Sequence, residues 1–161
     1  MGKINVGIIF GGQSTEHEVS RRSAVHVISS LDKEKYRYTL IEVDKKGKLF
    51  LYAECEENVL CGEILNIDNN LAKKPVKISE DIFTENQIDV VFPVIHGTGG
   101  EDGVLQGFLD MCEIAYVGSG VASSAVGFDK AVSKILFTHY GMPQADYIYV
   151  SSEEADYENL I

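Results

Sequence analysis

Cysteine is scarce in this chain, and its spacing excludes more than it offers. Cys55, Cys61 and Cys112 are odd in number and form no Cys-x-x-Cys pair. Neither a disulfide framework nor a zinc site of that spacing is expected. No stretch approaches the ~20 consecutive apolar residues of a membrane span. The N-terminus lacks a basic region followed by an apolar run, since Lys3 leads straight into strand-like sequence. These absences point to a reducing, cytoplasmic setting and to no membrane partner. Positive charge is also short: 14 Lys and Arg stand against 25 Asp and Glu, a net charge of −11. That balance argues against nucleic acid or an anionic membrane as a partner. It leaves room for a small anion, because loops and helix ends act locally. No Walker A pattern is present. No Gly-x-Gly-x-x-Gly follows the first strand, and Gly118-Ser119-Gly120-Val121-Ala122-Ser123 has serine in place of the third glycine and comes late. Dinucleotide binding is therefore not expected. Metal-ligand clusters and internal repeats are missing too.

What remains is ordinary globular composition, 45% hydrophobic and 24% charged over 161 residues. That length suits one core and the start of a second unit. Ile4 to Phe10 is a β-branched, apolar run that reads as a strand buried on both faces. A helical face follows at Val19, Ser23/Ala24, Val27/Ile28 and Leu31, with Ser14 or Thr15 as its cap. Tyr36 to Asp44 reads as a strand, and Lys48 to Tyr52 as a hairpin arm after the turn at Lys45-Lys46-Gly47. Residues 53 to 86 read as a surface excursion with a short strand near Val76 to Ile78. Ile88 to Ile95 is a further buried strand, Val104 to Met111 a helix and Ala115 to Val117 a short strand. Ser123 or Ser124 starts another helix. Asp129 to Tyr140 is a clear helix, closed by Gly141 and Pro143. Tyr147 to Val150 reads as a strand, and a helix is expected from Glu153. The alternation defines an α/β fold, an open and mostly parallel sheet with helices on both faces. The break at Gly118 to Ala122 divides it into a domain over 1–120 and the start of a second over 121–161.

Two polar, glycine-bearing loops follow buried strands: Phe10 to Ser20, and His96 to Gly103. In open α/β sheets, ligands bind beyond the carboxyl ends of the strands. Glu16 opens a helix there. It serves either as a first-turn acid favouring the helix dipole or as a carboxylate that holds an ammonium group. His17 and Glu18 read as solvated or capping. His96 is either a satisfied structural histidine or a ligand-facing one, with neighbouring glycines that permit close approach. Glu101 and Asp102 read as caps. His26 and His139 read as structural. Lys130 opposes the dipole of its helix; an anion at the same helix end would offset that cost, and a solvated lysine is the plain alternative.

Phe10-Gly11-Gly12-Gln13-Ser14-Thr15-Glu16-His17-Glu18-Val19-Ser20 resembles the N-terminal signature of D-alanine–D-alanine ligases. His96-Gly97-Thr98-Gly99-Gly100-Glu101-Asp102-Gly103-Val104-Leu105-Gln106-Gly107 resembles a second signature of that family. Tyr116 to Ala125 and then Asp129-Lys130 continue in the family's order. The resemblance covers essentially the whole chain. It implies a Rossmann-like pre-ATP-grasp domain plus the first elements of an ATP-grasp central domain, and an enzyme of peptidoglycan precursor synthesis. Such enzymes use ATP with Mg2+ or Mn2+ to phosphorylate the carboxylate of one D-alanine. The amine of a second D-alanine attacks the acyl phosphate, and phosphate leaves. Carried over by position, Glu16 binds the first ammonium, Val19 and Ser20 line or support the pocket, and Gly11 and Gly12 let the loop approach. His96 lies near the substrate carboxylate and the transferring phosphate, and Lys130 contacts ATP phosphates. The resemblance also implies a homodimer.

Thr98 and Ala115 stand where the family usually has proline, and Phe128 where it has methionine. The adenine pocket, the metal carboxylates and the oxyanion-stabilising arginine of the family have no counterpart before Ile161, so no ligase activity is expected of this chain alone. A D-alanine–D-lactate or D-alanine–D-serine ligase is the rival within the enzyme class, and Gly118-Ser119-Gly120 favours the D-alanine type. A free-standing module that binds a small ligand or mediates dimerisation is the non-catalytic rival. The functional reading expects Glu16 and His96 to line the same amino-acid cradle, and side chains on opposite rims of the sheet would overturn it.

Overall fold

The computed structural model describes residues 2–52, 73–77 and 79–150. β1 (Ile4–Gly11) leads through a loop into α1 (His17–Ser30), then β2 (Tyr36–Val43), β3 (Leu49–Tyr52) and β4 (Lys73–Val76). Next come α2 (Asp81–Glu85), β5 (Val90–Pro93), α3 (Val104–Met111), β6 (Ala115–Tyr116), α4 (Val121–Phe128) and α5 (Lys130–His139). The strands form one sheet in the order β4-β3-β2-β1-β5-β6. β1 pairs in parallel with β2 and β5, and β5 with β6; the β2–β3 and β3–β4 pairs are antiparallel. The expected α/β architecture is observed.

β1 is central, and its side chains alternate between two cores, as the period of two requires. Val6, Ile8 and Phe10 pack with Ala24 and Ile28 of α1 on one face. Ile9 joins Ile41, Ile82, Phe83, Val91, Leu105 and Leu109 on the other, under α2 and α3. Burial on both faces explains why the strand reads as an unbroken apolar run. Pro93, which lacks an N–H, ends β5 opposite Ile9.

Several local expectations are corrected. The buried stripe of α1 is His17, Ser20, Arg21, Ala24 and Ile28; the anticipated face holds at Ala24 and Ile28, with Val27 and Leu31 packed beside them, and departs in the first turns of the helix. Val19 is 48% exposed. Neither Ser14 nor Thr15 caps the helix: Glu16 is the N-cap residue, with no side-chain bond to the first turn. α2 falls inside the anticipated excursion, where Ile82 and Phe83 are buried. The short strand anticipated at Val76 to Ile78 lies earlier, at Lys73–Val76, and α4 begins at Val121 rather than at the serines. Tyr147 to Val150 forms no strand. A β-rich run needs a ladder partner, and here Tyr147, Ile148 and Tyr149 are exposed. Cys55, Cys61, the polar patch at Asp68 to Asn70 and the helix anticipated from Glu153 lie outside the described residues. Cys112 is free, and burial pushes its thiol up from the ordinary value.

Candidate amino-acid site at the strand ends

The parallel strands β1 and β5 deliver their following loops to one rim of the sheet. At the end of β1 the chain turns through Gly11 and Gly12, at φ +90° and +96°. These are left-handed conformations that favour glycine. The Gly12 N–H still donates to the Val43 carbonyl at 2.7 Å, which extends the β1–β2 ladder into the turn. Ser20, fully buried, links the two strands. Its Oγ accepts from the Gly11 N–H at 2.7 Å and donates to the Val94 carbonyl at 2.6 Å. Ser20 thus supports the rim from beneath. Above it, the Ser14 hydroxyl donates to the His96 carbonyl at 2.7 Å and ties one signature loop to the other.

Glu16 and His96 lie on this same rim. Glu16 lines a cleft of about 680 Å3 with Ser14, Gly97, Glu101, Phe128 and Lys130. A Cβ on Gly97 would come within 3.4 Å of the Glu16 carboxylate, so that carboxylate sits against the His96 loop. His96 lines an adjoining cleft of about 580 Å3 with Ser23, Gln106, Ser119 and Ser123. Its Nε2 is 3.1 Å from the Ser23 hydroxyl and its Nδ1 is 4.0 Å from a Glu101 carboxylate oxygen. Glu101, Phe128 and Lys130 line both clefts. The two signature side chains therefore open into neighbouring compartments joined at Glu101. Volumes of this size suit small-molecule sites.

Glu101 is the residue that sequence reasoning undervalued. It does not cap α3. Asp102 does the local work, accepting from Gly99 N–H and Val104 N–H. Glu101 accepts from the Gly97 N–H at 2.8 Å and remains half exposed, between the two clefts. Its position directly after the glycine turns that follow His96 was the available signal. His17 was read as solvated or capping, yet it is buried, with Nδ1 2.7 Å from the Gly12 carbonyl. Val19 lines neither cleft. Lys130 reaches both, but the N–H groups of Ala131 and Val132 at its helix end already donate to the Asp129 carboxylate. Asp129 itself therefore offsets the unfavourable lysine, and no anion is needed there.

Glu18 pairs outward. A hydrogen bond from Lys45 holds its carboxyl below the usual carboxylate value, assisted by the charges of Arg21, Lys45 and His17 and opposed by partial burial. A carboxylate depressed in the folded state adds stability above its unfolded pKa and loses it as pH falls through the folded one. Lys45 is 63% exposed, so screening limits the pair to about 0.5 kcal/mol. Lys45→Met is expected to cost that much at pH 7 and nothing at pH 2, measured by urea denaturation. An equal loss at both pH values would exclude the ion pair as the cause.

The molecule is thus an α/β domain with two adjoining clefts beyond the carboxyl ends of its parallel strands, the place where open α/β sheets bind ligands. The profile of the D-ala D-ala ligase N-terminus matches residues 5–119. The D-alanine–D-alanine ligase of Ruminiclostridium cellulolyticum is 43% identical over 173 residues, covering 96% of this chain and 45% of the relative. That of Halothermothrix orenii is 44% identical over 149 residues, covering 91% and 42%. Among solved structures, the D-alanine–D-alanine ligase from Coxiella burnetii superposes with a TM-score of 0.80 at 33% identity, covering 95% of this chain and 47% of that one. The VanG D-Ala:D-Ser ligase from Enterococcus faecalis gives 0.73 at 31%, covering 87% and 43%. The chain belongs to the D-alanine–D-alanine ligase family and matches its N-terminal region. It spans about half the length of the relatives it matches.

Proposed function

We propose that this chain forms the part of an ATP-dependent D-alanine–D-alanine ligase that holds the first D-alanine, within cytoplasmic peptidoglycan precursor synthesis. The observation that carries this reading is the meeting of the two signature loops on one rim, with the Glu16 carboxylate against Gly97. Residues 1–120 constitute the amino-acid-binding domain, and 121–161 begin the ATP-grasp unit. Similar structures include both a D-Ala–D-Ala and a D-Ala:D-Ser ligase. Their shared substrate, D-alanine, is therefore the part of the reading assigned to this chain.

In this mechanism Glu16 accepts charge-assisted hydrogen bonds from the substrate ammonium. Gly11 and Gly12 bring the loop close, while Ser20 fixes the strand ends beneath it. The His96 imidazole, oriented by Ser23, faces the substrate carboxylate as that group gains a phosphoryl from ATP. Lys130 offers a positive charge on the phosphate side of the junction. The second D-alanine loses an ammonium proton, its amine attacks the acyl carbon, and phosphate departs with the bonding pair. The protein's contribution is positioning and charge stabilisation. Magnesium is different. Among the described residues no group of three or more His, Cys, Asp or Glu could hold a metal ion, so no step is assigned to a metal on this chain. The 161-residue chain alone is proposed to make no dipeptide, and the family's homodimer is part of the same proposal.

Isothermal titration of the chain with D-alanine tests the reading. Binding is expected, and Glu16→Gln should weaken it about 30-fold, the loss of roughly 2 kcal/mol from one charged hydrogen bond. Equal affinity in the two proteins would remove Glu16 from this role.

A further inference from the structure

The loop from Gly11 to Glu16 is held locally at Ser14, whose Oγ accepts from the Glu16 N–H at 3.2 Å and whose carbonyl accepts from the His17 N–H at 3.3 Å. It contains two successive left-handed glycines, and α1 begins without a side-chain cap. Ser20 secures the strand end below it and Ser14 reaches across to His96. The Gly12 carbonyl, at the centre of the turn, is held by His17 Nδ1 at 2.7 Å. A carbonyl can only accept, so Nδ1 carries the proton. The loop closes directly on the ring, since a Cβ on Gly11 would lie 3.1 Å from His17 Cε1.

The other side of the imidazole faces a buried charge. His17 Nε2 is 3.9 Å from Glu42 Oε1, and Glu42 is 3% exposed. The second Glu42 oxygen accepts from the Tyr52 hydroxyl of β3 and from Lys73 Nζ of β4, each at 2.7 Å. Arg21 Nε lies 3.8 Å from Oε1, and Glu18 contributes to the same field from α1. The ring therefore stands between the loop and a carboxylate fixed by two other strands. A purely space-filling residue would fit this pocket without linking the loop to the sheet.

We propose that His17 is a positioning residue: its Nδ1–H bond to the Gly12 carbonyl, backed by the Glu42 carboxylate, sets the conformation of the Gly11–Glu16 loop and so places the Glu16 carboxylate at its cleft. The inference deepens the reading of Glu16 as the ammonium ligand, and its functional half rests on that reading. Its structural half concerns the unliganded chain alone.

The test uses the 15N-labelled chain, with His17→Asn and His17→Gln. An asparagine amide N–H can stand where Nδ1–H stands, whereas a glutamine amide extends toward the Nε2 position. Long-range 1H–15N spectra of the wild type are expected to show Nδ1 protonated at neutral pH. The Gly12, Gln13 and Glu16 amide resonances should be retained in His17→Asn and displaced in His17→Gln, with α3 resonances unchanged in both. In a D-alanine titration, His17→Asn should stay within about threefold of wild type and His17→Gln should lose about tenfold. An Nε2–H tautomer in the wild type overturns the proposal even if a variant fails to fold, and so do loop resonances that are the same in His17→Gln as in wild type. If the loop responds as stated while the wild type binds no D-alanine, the amino-acid reading of the site fails and the His17 clamp stands.

Discussion

Gly11→Ala is expected to destabilise the chain by about 3–5 kcal/mol, measured by urea denaturation. Two costs combine. The residue sits at φ +90°, where an L side chain costs about 1–2 kcal/mol. The new Cβ would also lie 2.3 Å from the Val43 carbonyl oxygen. That atom is backbone, and it already accepts the Gly12 N–H, so it cannot move without opening the β1–β2 ladder. Gly99→Ala separates the two costs. Gly99 has φ +85° with nothing within 4 Å of the added Cβ, so it should lose only the conformational part, about 1–2 kcal/mol. Equal losses at the two positions would show that the Val43 contact carries no energy.

Ser20→Ala should cost about 2–6 kcal/mol, because each of two groups left without its partner costs about 1–3 kcal/mol. The two groups are the Gly11 N–H and the Val94 carbonyl, both served by one fully buried hydroxyl. Ser29→Ala, at an exposed position on the same helix, should change stability by less than about 0.5 kcal/mol. Amide exchange gives a sharper check: in Ser20→Ala the Gly11 amide should lose protection before the centre of β1 does. Unchanged protection at Gly11 would show that the hydroxyl does not hold the strand end. Together the two variants address the rim itself, one from the turn and one from beneath.

The legibility of the elements followed their periodicity and burial. β1 was readable because a strand buried on both faces is an unbroken apolar run. α3 was readable because its apolar residues fall on one helical face. α1 was readable as a helix and its later face at Ala24 and Ile28 as buried, but its first turns were not. Its buried face contains His17, Ser20 and Arg21, polar residues that a hydrophobic pattern does not count. They can be buried because Gly12, Gly11, Val94 and Glu42 satisfy or neutralise them, and those partners come from β1, the end of β5 and β2. Tyr147 to Val150 shows the opposite error. Its side chains favour a strand, but a strand exists only where another offers a ladder.

The sequence by itself determined the α/β class, the central buried strands, the two glycine-bearing loops and the family resemblance that they carry. These are encoded locally, in residue type and spacing along the chain. Only the tertiary structure decided that Glu101 lies between His96 and the Glu16 cleft, that Asp129 already occupies the helix end beside Lys130, and that His17 turns inward to hold Gly12. Each of those depends on groups brought together from separate strands and helices, and a hydrogen-bond partner distant in sequence leaves no periodic trace in it.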